Sequence, residues 1–527
     1  MNLEKDAQLV KHLNSKGIDD RMVMGHPAGL FVLFFTEMWE RFSYYGMRAL
    51  LTVFLISEIA KGGWGWSNED AMELYAWYTG LVYLTPLIGG IIADKLTGYR
   101  KAVSIGALIM TLGHASMALE GISNSFFFAG LGLMILGNGM FKPNISSIVG
   151  QLYPNNSSKK DAGYTIFYMG INAGAFLGML LCGYIGEKYD WHYGFGLAGV
   201  FMFFGMLQFY FGQKIFGKIG LSPKKQLHFE INPTDEIEEE ETPANIVKDR
   251  LIVVSVLIIS SIFFFFAFEQ AGGSMTIFAK NYTQRVLDGS SGLIFKWIDA
   301  LLTIFPVAIV TWVLVSLARK IYKKYPITIL FTALSFVIIW ILCIWKVNRE
   351  FSSEVTEVTV SWFQILNSFF IITLASSFSK LWEKVWNPSG PIKFAMGLIL
   401  VGIGFIALAY GANEIPQGAT TATVSMVWLI LAYFFHTTGE LCLSPVGLSY
   451  VSKLSPAKFV GLIFGLWFTA SFIANLLAGY TGSYIDKISK AYSMSVFFLI
   501  IAALPIFVAL LLMIFNSKLT KMMHGIK

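Results

Sequence analysis

Charge is thin in this chain. Only 14% of its 527 residues are Asp, Glu, Lys or Arg, against about 25% in soluble domains. Cysteine is nearly missing. The three present, Cys182, Cys343 and Cys442, lie far apart in apolar segments, which excludes a disulfide framework or a thiolate metal site. The sequence has no H-E-x-x-H, no P-loop and no G-x-S-x-G, and its cysteines have no base close by in sequence. An intramembrane enzyme is therefore not expected. His114 and His436 each stand alone on apolar stretches, the pattern of packing positions rather than of a proton relay.

Apolar sequence is plentiful: 55% of residues are hydrophobic, 16% are aromatic and the mean hydropathy is +0.62. Runs of about 20 apolar residues, the length that crosses a hydrocarbon core, recur along almost the whole chain. Fourteen spans are expected, at 28–57, 70–93, 102–121, 125–150, 162–184, 194–216, 251–279, 293–318, 326–346, 360–382, 392–412, 422–450, 459–485 and 491–516. The first 27 residues are polar and mixed in charge, so no cleaved signal peptide is expected and the first span serves for insertion.

With both termini cytoplasmic, and cations at span ends counted with the adjoining loops, the 39 Lys and Arg divide into 27 inside, 9 outside and three within spans. This positive-inside bias accounts for the net charge of +6 through anionic lipid headgroups, without nucleic acid. The longest polar stretch, 217–250, contains "DEIEEEETP", a solvated linker without chemistry of its own. It separates six spans from eight, giving an expected organisation of an N-terminal six-helix bundle over 1–216 and a C-terminal bundle over 251–527 that carries an inserted hairpin at about 293–346. A faint echo between "GYRKAVSIGALI" and "GPIKFAMGLILV" supports duplication. Repeated halves place a site near the bilayer midplane, opened alternately to each side.

The stretch "FFTEMWERFSYYGMRALLTVFL", residues 34–55, is apolar enough for lipid yet carries four charges. On a helix, Glu37, Glu40, Arg41, Tyr44, Tyr45 and Arg48 fall within an arc of about 140°. Ionised residues at membrane depth cost on the order of a few kcal/mol each unless they face a wet cavity or a partner. The stripe is therefore expected to line an aqueous path; a buried structural ion-pair network is the alternative. Span charges also divide unequally. The first half holds Arg41, Arg48 and Lys142 beside the two acids of the stripe, whereas the second holds Glu269 and Glu440 and is expected to have no deep cation. Opposed charges of this kind suit a small zwitterion.

At this point the motifs resemble a known family. E-x-x-E-R-F-x-Y-Y-G, from Glu37 to Gly46, is similar to the first-helix signature of the proton-dependent oligopeptide transporter (POT/PTR) family of the major facilitator superfamily. The blocks "GGIIADKLTGYRKA", "GNGMFKPN", "FYMGINAGAFLG", "FEQAGGS", "SWFQILN" and "ELCLSPVGLS" follow in the family's order. The resemblance implies an all-α membrane protein with the major facilitator fold, two six-helix bundles plus an extra two-helix hairpin, fourteen transmembrane helices in all. It implies a proton-coupled symporter that imports di- and tripeptides by alternating access, with protons as coupling ion and no other cofactor. The expected setting is the bacterial inner (plasma) membrane, with monomers as the functional unit and both termini cytoplasmic.

Carried over residue by residue, the resemblance implies that Glu37 and Glu40 are proton-linked carboxylates controlling Arg41. Arg41 and Lys142 receive the peptide carboxylate, and Glu440 holds its ammonium. Arg48 with Glu269, and Lys142 with Glu440, resemble the family's two gate pairs. Tyr44, Tyr45, Tyr83, Asn172, Asn367, Trp467 and Ser471 match pocket positions. Phe265 stands where relatives often have Trp, keeping the ring and losing the indole donor. The extra hairpin lies after "FEQAGGS", whereas in many bacterial relatives it joins the halves; here it is expected to be a lipid-facing accessory, with Lys296 and Asp299 interfacial. The alternative is a major facilitator carrier for another small substrate: a peptide-like metabolite, nitrate or a drug.

Overall fold

The computed structural model describes residues 2–154, 157–223, 243–456 and 460–526; most of the acidic linker sequence lies outside them. The described chain is helical almost throughout, in the order α1 (Asn2–Ser15), α2 (Ala28–Ile56), α3 (Asn68–Ile92), α4 (Tyr99–Met117), α5 (Asn124–Gln151), α6 (Ser158–Lys188) and α7 (Trp191–Gly212). The order continues with α8 (Ala244–Phe268), α9 (Ser274–Asn281), α10 (Gly289–Ile321), α11 (Pro326–Ser352), α12 (Val360–Lys380), α13 (Gly390–Ala412), α14 (Val427–Leu454), α15 (Val460–Ser483), α16 (Ile485–Ala491) and α17 (Met494–Met522). Two antiparallel strand pairs complete it, β1 (Met22–Val23) with β2 (His26–Pro27) and β3 (Val286–Leu287) with β4 (Thr356–Glu357).

Among the described residues, twelve helical segments are long and apolar enough to cross a membrane, so the chain is a multi-pass membrane protein. Two further long helices, α2 and α4, occupy the other expected spans. The charged stripe lies on α2.

The helices form two compact units. The first comprises Met1–Leu50, Thr85–Pro233 and Val286–Trp362; the second comprises Leu51–Leu84, Thr234–Arg285 and Phe363–Lys527. In the first unit, α2 and α6 approach closely because α6 carries glycine at three positions spaced by four, Gly170, Gly174 and Gly178. A Cβ on Gly174 would lie 2.1 Å from the Met38 carbonyl oxygen, and one on Gly178 would lie 2.2 Å from that of Phe42. Small residues at helix spacing permit such backbone contact where lipid gives no hydrophobic drive for association. The "FYMGINAGAFLG" block is thus a packing face for the charged helix. Behind that helix, Trp39 stacks on Phe201 at 4.8 Å between centroids, and Phe42 lies 4.4 Å from the same ring.

The hairpin α10–α11 departs from the expected accessory element. It belongs to the first unit, and Asp299 is buried against Lys346 rather than interfacial. Lys346 is likewise buried, so a stretch expected to have no deep cation contains one. Its outer face, with Trp297, Leu301, Phe305 and Trp312, remains exposed as lipid contact requires.

The N-terminal segment is tied to the hairpin through one carboxylate. Leu9 and Leu13, one turn apart on α1, are buried. Further on, Arg21 grips Asp19 with two hydrogen bonds of 2.7 and 2.6 Å, while Lys324 and the Tyr325 hydroxyl donate to the same carboxylate at 2.9 and 3.2 Å. Burial alone would raise the Asp19 carboxyl, but the bonds from Arg21 and Lys324 outweigh it and hold the group well below the usual carboxylate range.

A depressed carboxylate stabilises the fold above its unfolded value of about 3.9, and that contribution is lost as pH falls through the folded value. Asp19→Asn should therefore lower stability by about 1–2 kcal/mol at neutral pH. The deficit relative to the parent, read by thermal unfolding in detergent, should shrink once the pH drops below about 4. A deficit that does not change with pH would show that the charge is not what matters at Asp19.

Candidate functional site

The stripe on α2 folds into an ion-pair cluster. Arg41 Nε donates to Glu37 Oε1 at 2.7 Å and lies 2.8 Å from Glu40 Oε2. All three residues are buried. The i,i+4 spacing of Glu37 and Arg41 brings their side chains together on one helix face. From α5, Asn138 Nδ2 donates to Glu40 Oε1 at 3.0 Å, and Lys142, one turn further along that helix, lies within electrostatic reach of Glu40. Glu37 Oε2 and Arg41 Nη2 are buried without a hydrogen-bond partner among the described residues, an arrangement with donor and acceptor capacity to spare.

Aromatic rings flank the cations. Arg41 lies over Tyr44 at 5.9 Å and Arg48 over Tyr45 at the same distance, and the two tyrosines meet edge to face at 5.0 Å. Asn172 is buried on α6 and donates back to its own helix at the Tyr168 carbonyl. Eight of the expected residues, Glu37, Glu40, Arg41, Tyr44, Tyr45, Arg48, Lys142 and Asn172, thus belong to the first unit.

The second unit holds the remaining seven. Glu440, half-buried on α14, accepts a 3.0 Å hydrogen bond from Asn367 Nδ2 on α12, which also donates to Thr437 Oγ1 at 3.1 Å. Phe265 on α8 meets Trp467 on α15 edge to face at 6.4 Å. Ser471, one turn after Trp467, donates to that residue's carbonyl. Tyr83, on α3, is half-buried. Glu269 is buried where α8 stops and a 3-10 turn, Glu269–Gly272, intervenes before α9. The break follows from "FEQAGGS": the Gln270 side chain donates to the Ala478 carbonyl, Ser274 donates to Gln270, and a Cβ on Gly272 would strike the Tyr75 hydroxyl at 2.2 Å. Broken helices at membrane depth are where transporters expose polar groups.

The sequence reading passed over Asn138 and Thr437. Asn138 precedes Lys142 by four residues and so shares its helix face, the signal that would have found it. His114 and His436 are buried, and neither ring makes a hydrogen bond among the described residues; His436 packs against Phe405 at 4.7 Å.

The comparisons with known proteins agree with these motifs. The family model described as the POT family matches residues 100–230 and 325–500. The chain is 33% identical to the uncharacterized transporter YclF of Bacillus subtilis (strain 168), over 97% of this chain and 98% of that protein. It is 31% identical to the di-/tripeptide transporter of Lactococcus lactis subsp. cremoris, covering 96% and 99% of the two chains. A crystal structure of a peptide transporter POT in complex with sulfate superposes with a TM-score of 0.74 at 30% identity, covering all of both chains. With matches over most of its length and a buried E-x-x-E-R cluster, the chain belongs to the POT family of transporters and is not an enzyme.

Asn138→Leu should leave a buried carboxylate without its neutral donor. It should lower thermal stability by about 1–3 kcal/mol, whereas Asn138→Ser, which can still donate, should recover part of that loss. Equal stability of Leu and parent would show that the Asn138–Glu40 bond contributes nothing.

Proposed function

We propose that the chain is a proton-coupled symporter that imports di- and tripeptides by alternating access. The observation that carries the reading is Arg41 held between Glu37 and Glu40 while retaining an unpartnered buried nitrogen among the described residues. Two carboxylates sharing one guanidinium can hold a proton between them. A proton on either acid frees Arg41 to bind a substrate carboxylate, which couples the proton to the peptide. Arg41 and Lys142 take the peptide carboxylate and Glu440, steadied by Asn367, takes its ammonium. Tyr44, Tyr45, Tyr83, Phe265 and Trp467 accept varied side chains by apolar contact, with Asn172 and Ser471 as polar companions. Arg48 and Glu269, and Lys142 and Glu440, act as gates.

To the same proposal belong the fourteen-helix major facilitator arrangement, the bundles over 1–216 and 251–527, cytoplasmic termini, a bacterial inner-membrane location, monomers as the working unit, and the proton as the one coupling species. The peptide substrate is supported by the named function of the Lactococcus relative. A second reading, a peptide-like metabolite, is favoured by one structure: a POT family transporter in complex with 5-aminolevulinic acid, 25% identical with a TM-score of 0.75. That ligand is also a zwitterion, so the same anchors would serve.

Purified protein in liposomes should take up labelled dialanine faster under an inward proton gradient, and unlabelled di- and tripeptides should compete while free amino acids and tetrapeptides do not. Lys142→Ala and Glu440→Ala should each reduce gradient-driven uptake at least about thirtyfold, the equivalent of ~2 kcal/mol for losing a half-buried charged partner. Glu37→Gln should spare counterflow more than concentrative uptake. Uptake indifferent to the gradient would refute coupling, and equal loss of both modes in Glu37→Gln would assign that residue a structural role.

A further inference from the structure

We infer that the hairpin α10–α11 is a working part of the first unit that backs the charged helix α2 and travels with it, although the chain enters and leaves the hairpin from segments of the second unit. The inference rests on the alternating-access reading above for the motion, and on the following contacts for the attachment.

Three tiers hold the hairpin. At its turn, Lys324 and Tyr325 engage Asp19, and Arg21 donates to the Lys320 carbonyl at 3.0 Å. At mid-height, Phe331 stacks on Phe211 of α7 at 5.7 Å, and Phe336 packs edge-on against Phe35 at 5.6 Å and Trp39 at 5.5 Å. Toward the strand pair β3–β4, Lys346 lies over the Tyr184 ring at 5.0 Å, and the Tyr184 hydroxyl donates to Glu350 Oε1 at 2.6 Å. Arg349 donates to the Lys188 carbonyl at 2.8 Å, and Lys188 pairs with Glu357 at 2.7 Å.

The polar tier decides between an ornament in lipid and a docked element. Lys346 pairs with Asp299 and also donates to Thr303 Oγ1 at 3.1 Å, and both charged side chains are nearly inaccessible. Charges buried inside a membrane helix pair are retained where they have partners, and here the hairpin and α6 supply them together. The mid tier gives the docking a purpose. Phe35 and Trp39 project from α2 about 160° away from Glu37 and Arg41 at 100° per residue, so Phe336 presses on the back of the helix whose front carries the ion-pair cluster. Phe336 and Lys346 are positioning residues for that cluster.

The test links the hairpin to α7. Phe211→Cys with Phe331→Cys, joined by a short bifunctional thiosulfonate, should leave gradient-driven dialanine uptake within about twofold of the unlinked protein, since partners that rock as one body lose nothing by being joined. Loss of uptake on linking, restored by reductant, would overturn the inference. Absence of uptake in parent and unlinked protein alike would instead count against the peptide reading, and a second measurement then decides. Spin labels on Leu330 of α11, Tyr210 of α7 and Leu511 of α17 report hairpin distances to each unit at acidic and neutral pH. A constant α11–α7 distance with a changing α11–α17 distance supports the inference, and the reverse overturns it. Lys346→Met, which strands Asp299, should broaden the α11–α7 distance, and Lys346→Met with Asp299→Leu should narrow it again; no broadening in the single variant would remove the polar tier from the account.

Discussion

A guanidinium caught between two carboxylates inside an apolar helix is the constraint around which the first unit is organised. Arg41, Glu37 and Glu40 are all buried, and such a cluster is tolerable at membrane depth only if its remaining hydrogen-bonding capacity is partly met and its geometry is fixed. Asn138 meets part of it. The fixing comes from packing: the glycine face of α6 on one side, Phe201 and Phe336 on Trp39 on another. Each removes freedom from α2 without adding a charge, so the frame around the ion pairs is held by packing rather than by further electrostatics.

Much of this frame is legible in the sequence, because the charges in an apolar chain are few and each is therefore informative. Of the helical arc, Glu37, Glu40 and Arg41 appear in the structure as an ion-pair cluster on α2, while Arg48 lies over the Tyr45 ring. Among the described residues, twelve of the spans were legible from length and hydropathy alone; α2 and α4 are helices at the places expected for the other two. What escaped were relations set by tertiary contact. Asn138 has no charge to mark it, and Thr437 looks like any helix hydroxyl. Asp299 read as interfacial, whereas the fold buries it against Lys346, 47 residues away. No periodicity within one helix encodes which neighbour it will meet.

The hairpin shows how insertion point and mechanical role can separate. Its position after the broken helix α8–α9 assigns it by sequence to the second half, yet its aromatic and polar contacts tie it to α2, α6 and α7. Docking of this kind needs no conserved insertion point. It needs a surface that can take a pair of helices, and the side of α2 away from the charges is such a surface, being apolar and aromatic.

The glycine contacts along α6 have a consequence for motion. Where a side chain lies between two helices, one can slide by a rotamer change and the other need not follow. Between Gly174 and Met38, and between Gly178 and Phe42, backbone touches backbone, and nothing there can flex to absorb a displacement. Along this contact the two helices must therefore shift as a single rod, and any tilt imposed on α2 beside Glu37 and Glu40 passes to α6 without slack.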